Sequence, residues 1–90
     1  MFELKGSIHA ILPHRAVKRG HYIIPIIFSH KVHGVEDRQY RYMQIVSNHI
    51  KEQLLGIDVG DAVKIKVAMK GKEVAGKFHN LDEILSIEKI

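Results

Sequence analysis

The 90-residue sequence contains no cysteine and no tryptophan, and it has only two prolines. Without cysteine there can be no disulfide, no thiolate nucleophile and no zinc site with sulfur ligands. No apolar run approaches the roughly 18 to 20 residues that cross a bilayer as a helix. The N-terminus alternates polar and apolar residues and lacks the cleavage signal of a secretory leader. We therefore expect one soluble, cytoplasmic domain spanning residues 1–90, with no membrane partner.

Acidic residues are missing from a long stretch, Leu4 to Val35, although the whole chain has a net charge of only +4. Five of the seven histidines lie in this stretch. Such one-sided charge favours a polyanionic partner, most often a nucleic acid. The alternative is a solvated face on a mildly basic protein. The basic residues of the stretch are Lys5, Arg15, Lys18, Arg19 and Lys31.

Apolar and polar residues alternate with period two between turn-like segments, which predicts an all-β domain. The alternation places Met43 and Ile45 on one face of their strand and Tyr42 on the other. Pro25 cannot donate a hydrogen bond to a ladder, so it predicts an edge, a bend or a bulge in the second strand. The predicted strands cover residues 2–12, 22–28, 40–47, 61–70 and about 78 to the C-terminus, with turns at 13–20, 33–39, 56–60 and 71–76.

The period changes to that of a helix between the third and fourth predicted strands. Asn48 is a good N-cap, Gly56 a good terminator, and Ile50, Leu54 and Leu55 supply the apolar face. Three strands, a short helix and two strands is the order of the OB-fold, a five-stranded barrel with its helix between strands 3 and 4. An SH3-like barrel is the alternative, but the helix position and the turn GIDVGDAV favour the OB-fold.

The second half, from His49 to Ile90, reads HIKEQLLGIDVGDAVKIKVAMKGKEVAGKFHNLDEILSIEKI. It resembles a family of small bacterial OB-fold proteins related to single-stranded DNA-binding proteins. The shared pattern is a helix ending in Leu-Leu, a Gly-Asp turn, a V-x-I-x-V strand, a basic hairpin and a closing I-E-K. The first half matches in outline, through F-E-L-K-G and I-L-P. Relatives tend to have tryptophan where this sequence has Val74. The resemblance implies an OB-fold that binds single-stranded DNA.

The stretch GKEVAGKF, residues 71–78, is one residue away from a nucleotide-binding P-loop, G-x-x-x-x-G-K-[ST]. Phe78 stands where the motif needs a hydroxyl for magnesium, and the residues that follow have a strand pattern rather than a helix pattern. We therefore predict a hairpin between the last two strands. We expect no nucleotide cofactor and no small-molecule substrate.

The two loops that flank the ligand face of an OB-fold are both basic in this sequence. Single-stranded nucleic acid is bound by such charge together with aromatic side chains on which bases stack. Tyr42 ranks first among the candidate aromatics, because it lies opposite core residues, and Tyr40 ranks next. The predicted nucleic-acid-binding residues are Arg15, Lys18, Arg19, Tyr22, Tyr40, Tyr42, Lys64, Lys66, Lys70, Lys72, Lys77, Phe78 and His79. The sequence does not distinguish DNA from RNA.

Catalytic and metal-binding patterns are weak. His30 and His33 form the only close histidine pair, and strand geometry would place them on opposite faces. Ser47, His49 and Asp58 form no recognisable nucleophile arrangement. We therefore predict no metal, no catalytic residue and no enzymatic activity.

The predicted second strand, residues 22–28, is apolar on both faces, whereas a barrel strand normally keeps one face polar. Burying the second face requires a partner chain or a covering element. A homo-oligomer formed through this strand is therefore expected. The alternative function is an OB-fold module for protein–protein interaction or structure.

Overall fold

The computed structural model describes residues 1–18 and 20–90, and this part of the chain forms six strands and one helix. Burial alternates most clearly in the first half of β5, and the helix buries Ile50 and Leu54 on one face. In chain order the elements are β1 (Phe2–Ile11), β2 (Arg15–Lys18), β3 (His21–His30), β4 (Gln39–Ile45), α1 (Asn48–Leu54), β5 (Ala62–Val74) and β6 (Lys77–Lys89).

Five long strands close into a barrel. The strand β1 pairs antiparallel with both β3 and β5, β3 pairs with β4, and β5 pairs with β6. A parallel contact between β4 and β6, at Gln44 and Glu83, completes the ring. With α1 inserted between β4 and β5, this is an OB-fold, as the sequence predicts. The short strand β2 pairs with β3 and lies in a segment predicted to be a loop.

The core fills the barrel with side chains from every long strand and from α1. The predicted inward faces of β4 and β5 are confirmed for Met43, Ile45, Val63, Ile65 and Val67, which are all buried. Met69 continues the same face but is exposed, because β5 leaves the barrel at that point. The buried apolar residues of the core are Ile8, Ile26, Phe28, Met43, Ile45, Ile50, Leu54, Ile57, Val63, Ile65, Val67, Ile84 and Ile87.

Gly6 lies where β1 passes from its pairing with β5 to its pairing with β3. A Cβ atom built on Gly6 would lie 2.2 Å from the backbone oxygen of Ser29 and 2.7 Å from Cζ of Phe28. No side chain fits in that space without a backbone shift. Gly6 therefore allows β1 to cross over the core at close range.

Pro25 occupies a central strand, and its position explains how β3 tolerates it. The carbonyl of Pro25 accepts a hydrogen bond of 2.9 Å from the Leu12 amide, so its nitrogen also points toward β1 and away from β4. On that side the pairing with β2 ends at Ile23, and the pairing with β1 begins at Ile26. The missing N–H thus falls at a break between two ladders, which is where a proline does the least damage.

The helix differs from the prediction at both ends. Its N-cap is Ser47 rather than Asn48, and Asn48 Oδ1 instead lies 3.4 Å from Lys51 Nζ. Ile50 and Leu54 are buried as predicted, but Leu55 is almost fully exposed because the helix ends at Leu54. The helix has seven residues, and the described segments contain no helix with the length and apolar character needed to span a membrane.

The stretch 71–78 is a hairpin, as predicted, and not a P-loop. The strand β5 continues through Gly71 to Val74, and β6 begins at Lys77, so the turn is shorter than the predicted 71–76. Its two central residues, Ala75 and Gly76, have φ of 52° and 79°. Positive φ at both positions is the signature of a type I′ turn, which matches the twist of the two strands it joins.

Candidate nucleic-acid interface

A groove of about 360 Å³ runs across the outer face of the barrel. One wall is the β2 arm, the hairpin made by β2 and the start of β3. The other wall is the ribbon, residues 70–80, where β5 and β6 continue beyond the barrel as a pair of exposed strands. The residues that line the groove are Arg15, Val17, Ile23, Gln44, Lys72, Val74, His79 and Leu81.

The strand register decides which ribbon side chains face the groove. Residues directly opposite each other in an antiparallel pair lie on the same face. Lys72 pairs with His79, and Val74 pairs with Lys77, so all four side chains lie on the groove face. Lys72, Lys77 and His79 are predicted binding residues, and Val74 is not. Glu73 pairs with Phe78, and this pair lies on the other face. The ribbon therefore presents its lysines toward the groove and its carboxylate away from it.

The β2 arm brings a second group of predicted residues to the groove. Arg15 pairs with Ile23 on the outer face, and a register shift between Ala16 and Lys18 lets Val17 line the groove as well. Lys18 is exposed at the end of β2, opposite His21. Arg19, which the sequence also predicted, lies outside the described residues.

Tyr40 and Tyr42 lie on the outer face of β4, and both are exposed. Their partners across the ladder are Ser29 and Ile27 on β3. Because the two tyrosines are two residues apart on one strand, their Cα atoms are separated by about 7 Å. His9, at a register shift in β1, packs edge-on against Tyr40 with 4.8 Å between ring centroids. The prediction that Tyr42 faces away from Met43 is confirmed.

Two predicted aromatic residues lie elsewhere. Tyr22 faces the helix, where the Lys51 ammonium lies 3.7 Å above its ring and donates a hydrogen bond of 2.7 Å to its carbonyl. Phe78 is 81% exposed but lies on the ribbon face opposite His79. Sequence neighbours on a strand point to opposite faces, so Phe78 and His79 do not share a surface with each other.

The lysines of β5 divide into two groups. Lys64 and Lys66 point outward as predicted, but they pair with Lys5 and Glu3 of β1, and Lys64 forms an ion pair of 3.3 Å with Glu88. Eight residues of strand separate Lys64 from Lys72, which is about 26 Å. Lys70 is the first residue of the ribbon, and its ammonium lies 2.8 Å from the Glu83 carboxylate.

Five residues that line the groove were not predicted from the sequence. They are Ile23, Gln44 and Leu81 in its floor and Val17 and Val74 in its walls. A signal for Gln44 was present, because the alternation that exposes Tyr42 also places Gln44 on the outer face. No comparable signal existed for β2, since four exposed residues in a loop-like segment show no periodicity.

His30, the last residue of β3, is a buried histidine close to Tyr40. His30 is only 5% exposed, and its Nε2 has no hydrogen-bond partner among the residues described. Burial lowers the pKa of His30, and the positive charges of Arg41 and Arg38 lower it further. Arg38 is held in place by hydrogen bonds to Ser29, 2.7 Å from Nε to Oγ and 3.3 Å to the carbonyl.

The prediction for the histidine pair assumed that both residues lie in one strand. The strand β3 ends at His30, and His33 lies in the loop that follows, so strand alternation does not apply to the pair. Within residues 1–18 and 20–90, the structure shows no group of three histidine or carboxylate side chains positioned to hold a metal ion.

The closed barrel with its helix between β4 and β5 is an OB-fold. In OB-folds generally, two loops flank the face that binds oligonucleotides and oligosaccharides. No protein-family model matches the sequence, and no curated protein matches it. Among solved structures, the chain is similar to the small single-stranded DNA-binding protein from Streptomyces coelicolor. The TM-score is 0.63 at 8% identity, covering 99% of this chain and 92% of the other. This likeness supports the predicted relation at the level of fold.

Proposed function

We propose that this protein binds single-stranded nucleic acid, without catalysis, in the groove and across the adjoining Tyr40–Tyr42 face. The observation that carries the proposal is the convergence of basic side chains from two separate arms on one groove, next to exposed tyrosines on the same outer surface. OB-folds bind oligonucleotides on this face, and the similar protein from Streptomyces coelicolor is a single-stranded DNA-binding protein.

The phosphates would meet the walls of the groove. Arg15 lies in one wall and Lys72 in the other, with Lys18 and Lys77 farther along the same arms. Each phosphate that a basic side chain neutralises on a single strand steepens the salt dependence of binding by roughly 0.7. With so few contacts, binding is weak, electrostatic and strongly dependent on salt.

The bases would stack on the outer face of β4. Stacking of one base on an aromatic side chain contributes about 1–3 kcal/mol and tolerates any base. A separation of about 7 Å between the Cα atoms of Tyr40 and Tyr42 suits two successive bases of an extended strand. His9 packs edge-on against Tyr40 and leaves the rest of the exposed ring available for a base.

Fluorescence anisotropy with labelled oligo-dT across a salt series tests the proposal. We expect binding at 20 mM salt, and its absence would refute nucleic-acid binding. The double variant Lys72→Ala/Lys77→Ala should reduce the salt slope by about 1.4, because each lost phosphate contact contributes roughly 0.7. The matched control is Lys64→Ala/Lys66→Ala, which changes the net charge equally at the far end of β5. Equal slopes for the two double variants would remove the ribbon from the site.

The stacking step has its own pair of variants. Tyr42→Leu should weaken binding about tenfold at every salt concentration, because it removes a ring without removing charge. Tyr22→Leu is the control, since Tyr22 faces the helix rather than the groove. A loss of affinity in the control as large as that in Tyr42→Leu would contradict the proposed path of the strand.

A protein-binding role is the second candidate, and the other face of the ribbon favours it. Phe78 and Met69 lie exposed on that face. Phe2, which is also exposed, lines the same surface depression as Met69. A second copy of the chain would cover this apolar surface. Light scattering at high protein concentration tests this: a dimer that Phe78→Ser converts to a monomer supports it, and a wild-type monomer contradicts it. The predicted oligomer through residues 22–28 stays a prediction, although Ile23 and Pro25 are buried within a single chain.

A further inference from the structure

The ribbon and its base have a second face, opposite the groove, that carries exposed apolar side chains. We call it the Phe78 face. Its residues are Met69, Gly71 and Glu73 of β5 and their cross-strand partners Asp82, Asn80 and Phe78 of β6. Phe78 is 81% exposed and Met69 is 53% exposed. Large apolar side chains exposed on one surface mark a contact with another molecule more often than isolated ones do.

An apolar depression of about 140 Å³ lies at the base of the Phe78 face. Two of the residues that line it, Met43 and Val67, belong to the core of the barrel. An apolar cavity of about 150 Å³ is large enough to bind a benzene molecule, so this depression has room for a phenyl ring. The full lining is Phe2, Leu4, Arg41, Met43, Val67, Met69 and Asp82.

The Phe78 ring of the same chain does not fill this depression. Met69 lines the depression, and Phe78 lies opposite Glu73, four residues farther along the ribbon. Four residues of strand span about 13 Å, which is too far for the ring to reach back. A ring that enters the depression must therefore come from another molecule.

The spacing along the Phe78 face makes the face self-complementary. The pair Gly71 and Asn80 lies midway between Met69 and the level of Phe78, about 7 Å from each. A two-fold axis that passes at this level between two facing ribbons brings each Phe78 over the depression of the other copy, as an isologous interface requires. Because Gly71 has no side chain, the two ribbons can approach closely at the axis.

The charges agree with this arrangement. Glu73 lies beside Phe78, so it comes close to Arg41 at the depression of the second copy. The Arg41 guanidinium lies 3.8 Å from the Asp82 carboxylate, which is too long for a hydrogen bond, so it keeps donors for a second carboxylate. Lys72 and Lys77 lie on the groove face, and the two basic surfaces therefore point away from each other.

We propose that the Phe78 face is a homodimer interface in which Phe78 of each copy enters the apolar depression of the other. This inference deepens the second candidate function and rests on it. The occupant is a second copy because the projecting ring and the depression that fits it lie on one face, at equal distances from a possible two-fold axis. Both grooves stay open in such a dimer.

The absence of cysteine allows a direct test, because one introduced cysteine is then the only thiol in the chain. In the dimer, Asn80→Cys places the thiols of the two copies next to the axis, where a short bismaleimide can join them. His79→Cys is the control, since this neighbouring exposed residue faces the groove. By denaturing electrophoresis we expect a covalent dimer from Asn80→Cys and its loss in His79→Cys.

Variants on each side of the contact test the pairing of ring and depression in the Asn80→Cys background. Phe78→Ser removes the ring and Met69→Lys puts a charge at the depression, so each should abolish the cross-link. Val74→Lys is the matched control, because Val74 is similarly exposed but lies on the groove face. An equal mixture of the Phe78→Ser and Met69→Lys proteins should recover part of the cross-link, since a mixed dimer keeps one intact contact.

The outcomes separate this arrangement from dimerisation in general. A dimer by light scattering that cross-links equally through both cysteines, or whose cross-link persists in Phe78→Ser, would overturn the arrangement and leave a dimer formed elsewhere. A wild-type monomer without a cross-link would overturn the arrangement and the second candidate function together. Nucleic-acid binding is judged separately, by the anisotropy of the wild type with oligo-dT.

Discussion

The strands β5 and β6 run through two different environments. In the barrel, Val63, Ile65 and Val67 of β5 are buried against the core, whereas residues 71–80 of the ribbon are all exposed. Antiparallel pairing continues through both regions, with one register shift between Lys66 and Val67 inside the barrel. Burial, and hence stability, therefore belongs to the barrel end of these strands. Their ribbon end is free to carry charge and to contact a ligand.

Two phenylalanines test this division most directly. Phe28 is 0% exposed in the core, and Phe78 is on the ribbon. We expect Phe28→Ala to lower the free energy of unfolding by about 3–5 kcal/mol, because it removes a buried ring and leaves a cavity. The same change at Phe78 should have an effect within about 0.5 kcal/mol. Urea denaturation of both variants measures this, and similar losses would show that the ribbon packs against something when the protein is folded.

Two glycines probe the same division without removing any contact. Gly6→Ala forces a Cβ atom against the backbone oxygen of Ser29 and the ring of Phe28, so we expect a loss of about 3 kcal/mol or more. In the ribbon, a Cβ on Gly71 would lie 3.6 Å from Asn80 Oδ1 and 3.7 Å from the His79 carbonyl, which is ordinary contact. Gly71→Ala should therefore change stability by less than about 1 kcal/mol. A tolerated Gly6→Ala would mean that β1 can shift away from β3.

The sequence predicted the barrel better than the arms, for a physical reason. Core strands must alternate, so the alternation alone was enough to assign Met43, Ile45 and Val67 to the inside. The helix was also predicted, and so was the hairpin between the last two strands, although its turn is shorter than the predicted 71–76. In β2 and the ribbon the residues are exposed, so burial does not impose a pattern of apolar and polar residues on the sequence. Only the strand register shows that His79 faces the groove and Phe78 faces away from it. The contact between Tyr22 and Lys51 could not be predicted, because the helix that supplies Lys51 is distant in sequence.

A buried histidine makes the stability of the barrel sensitive to acid. The pKa of His30 is lowered in the folded state below its usual 6.5 by burial and by Arg41 and Arg38. Below pH 6.5 the unfolded chain therefore binds a proton more readily than the folded one. The free energy of unfolding falls as the pH drops toward the lowered pKa, by at most about 1.4 kcal/mol per pH unit.

Urea denaturation from pH 7.5 to pH 5 measures this dependence. His30→Leu removes the titrating group, so its stability should fall less steeply over the same range than that of the wild type. All other titratable groups are present in both proteins, so the difference between the two curves isolates His30. Parallel curves would show that protonation of His30 does not lower the free energy of unfolding.

The turn of the ribbon gives the smallest expected effect and the most direct test of independence. Ala75 has a φ of 52°, a conformation that asparagine adopts more readily than alanine and that a type I′ turn favours. Ala75→Asn should stabilise the ribbon by about 0.5–1 kcal/mol, which slows hydrogen exchange of its amides about twofold to fivefold. Because the ribbon buries so little, we expect barrel amides to exchange at unchanged rates. Equal slowing in barrel and ribbon would instead show that the two regions open as one cooperative unit. The barrel and the ribbon would then differ in the residues they expose but not in their local stability.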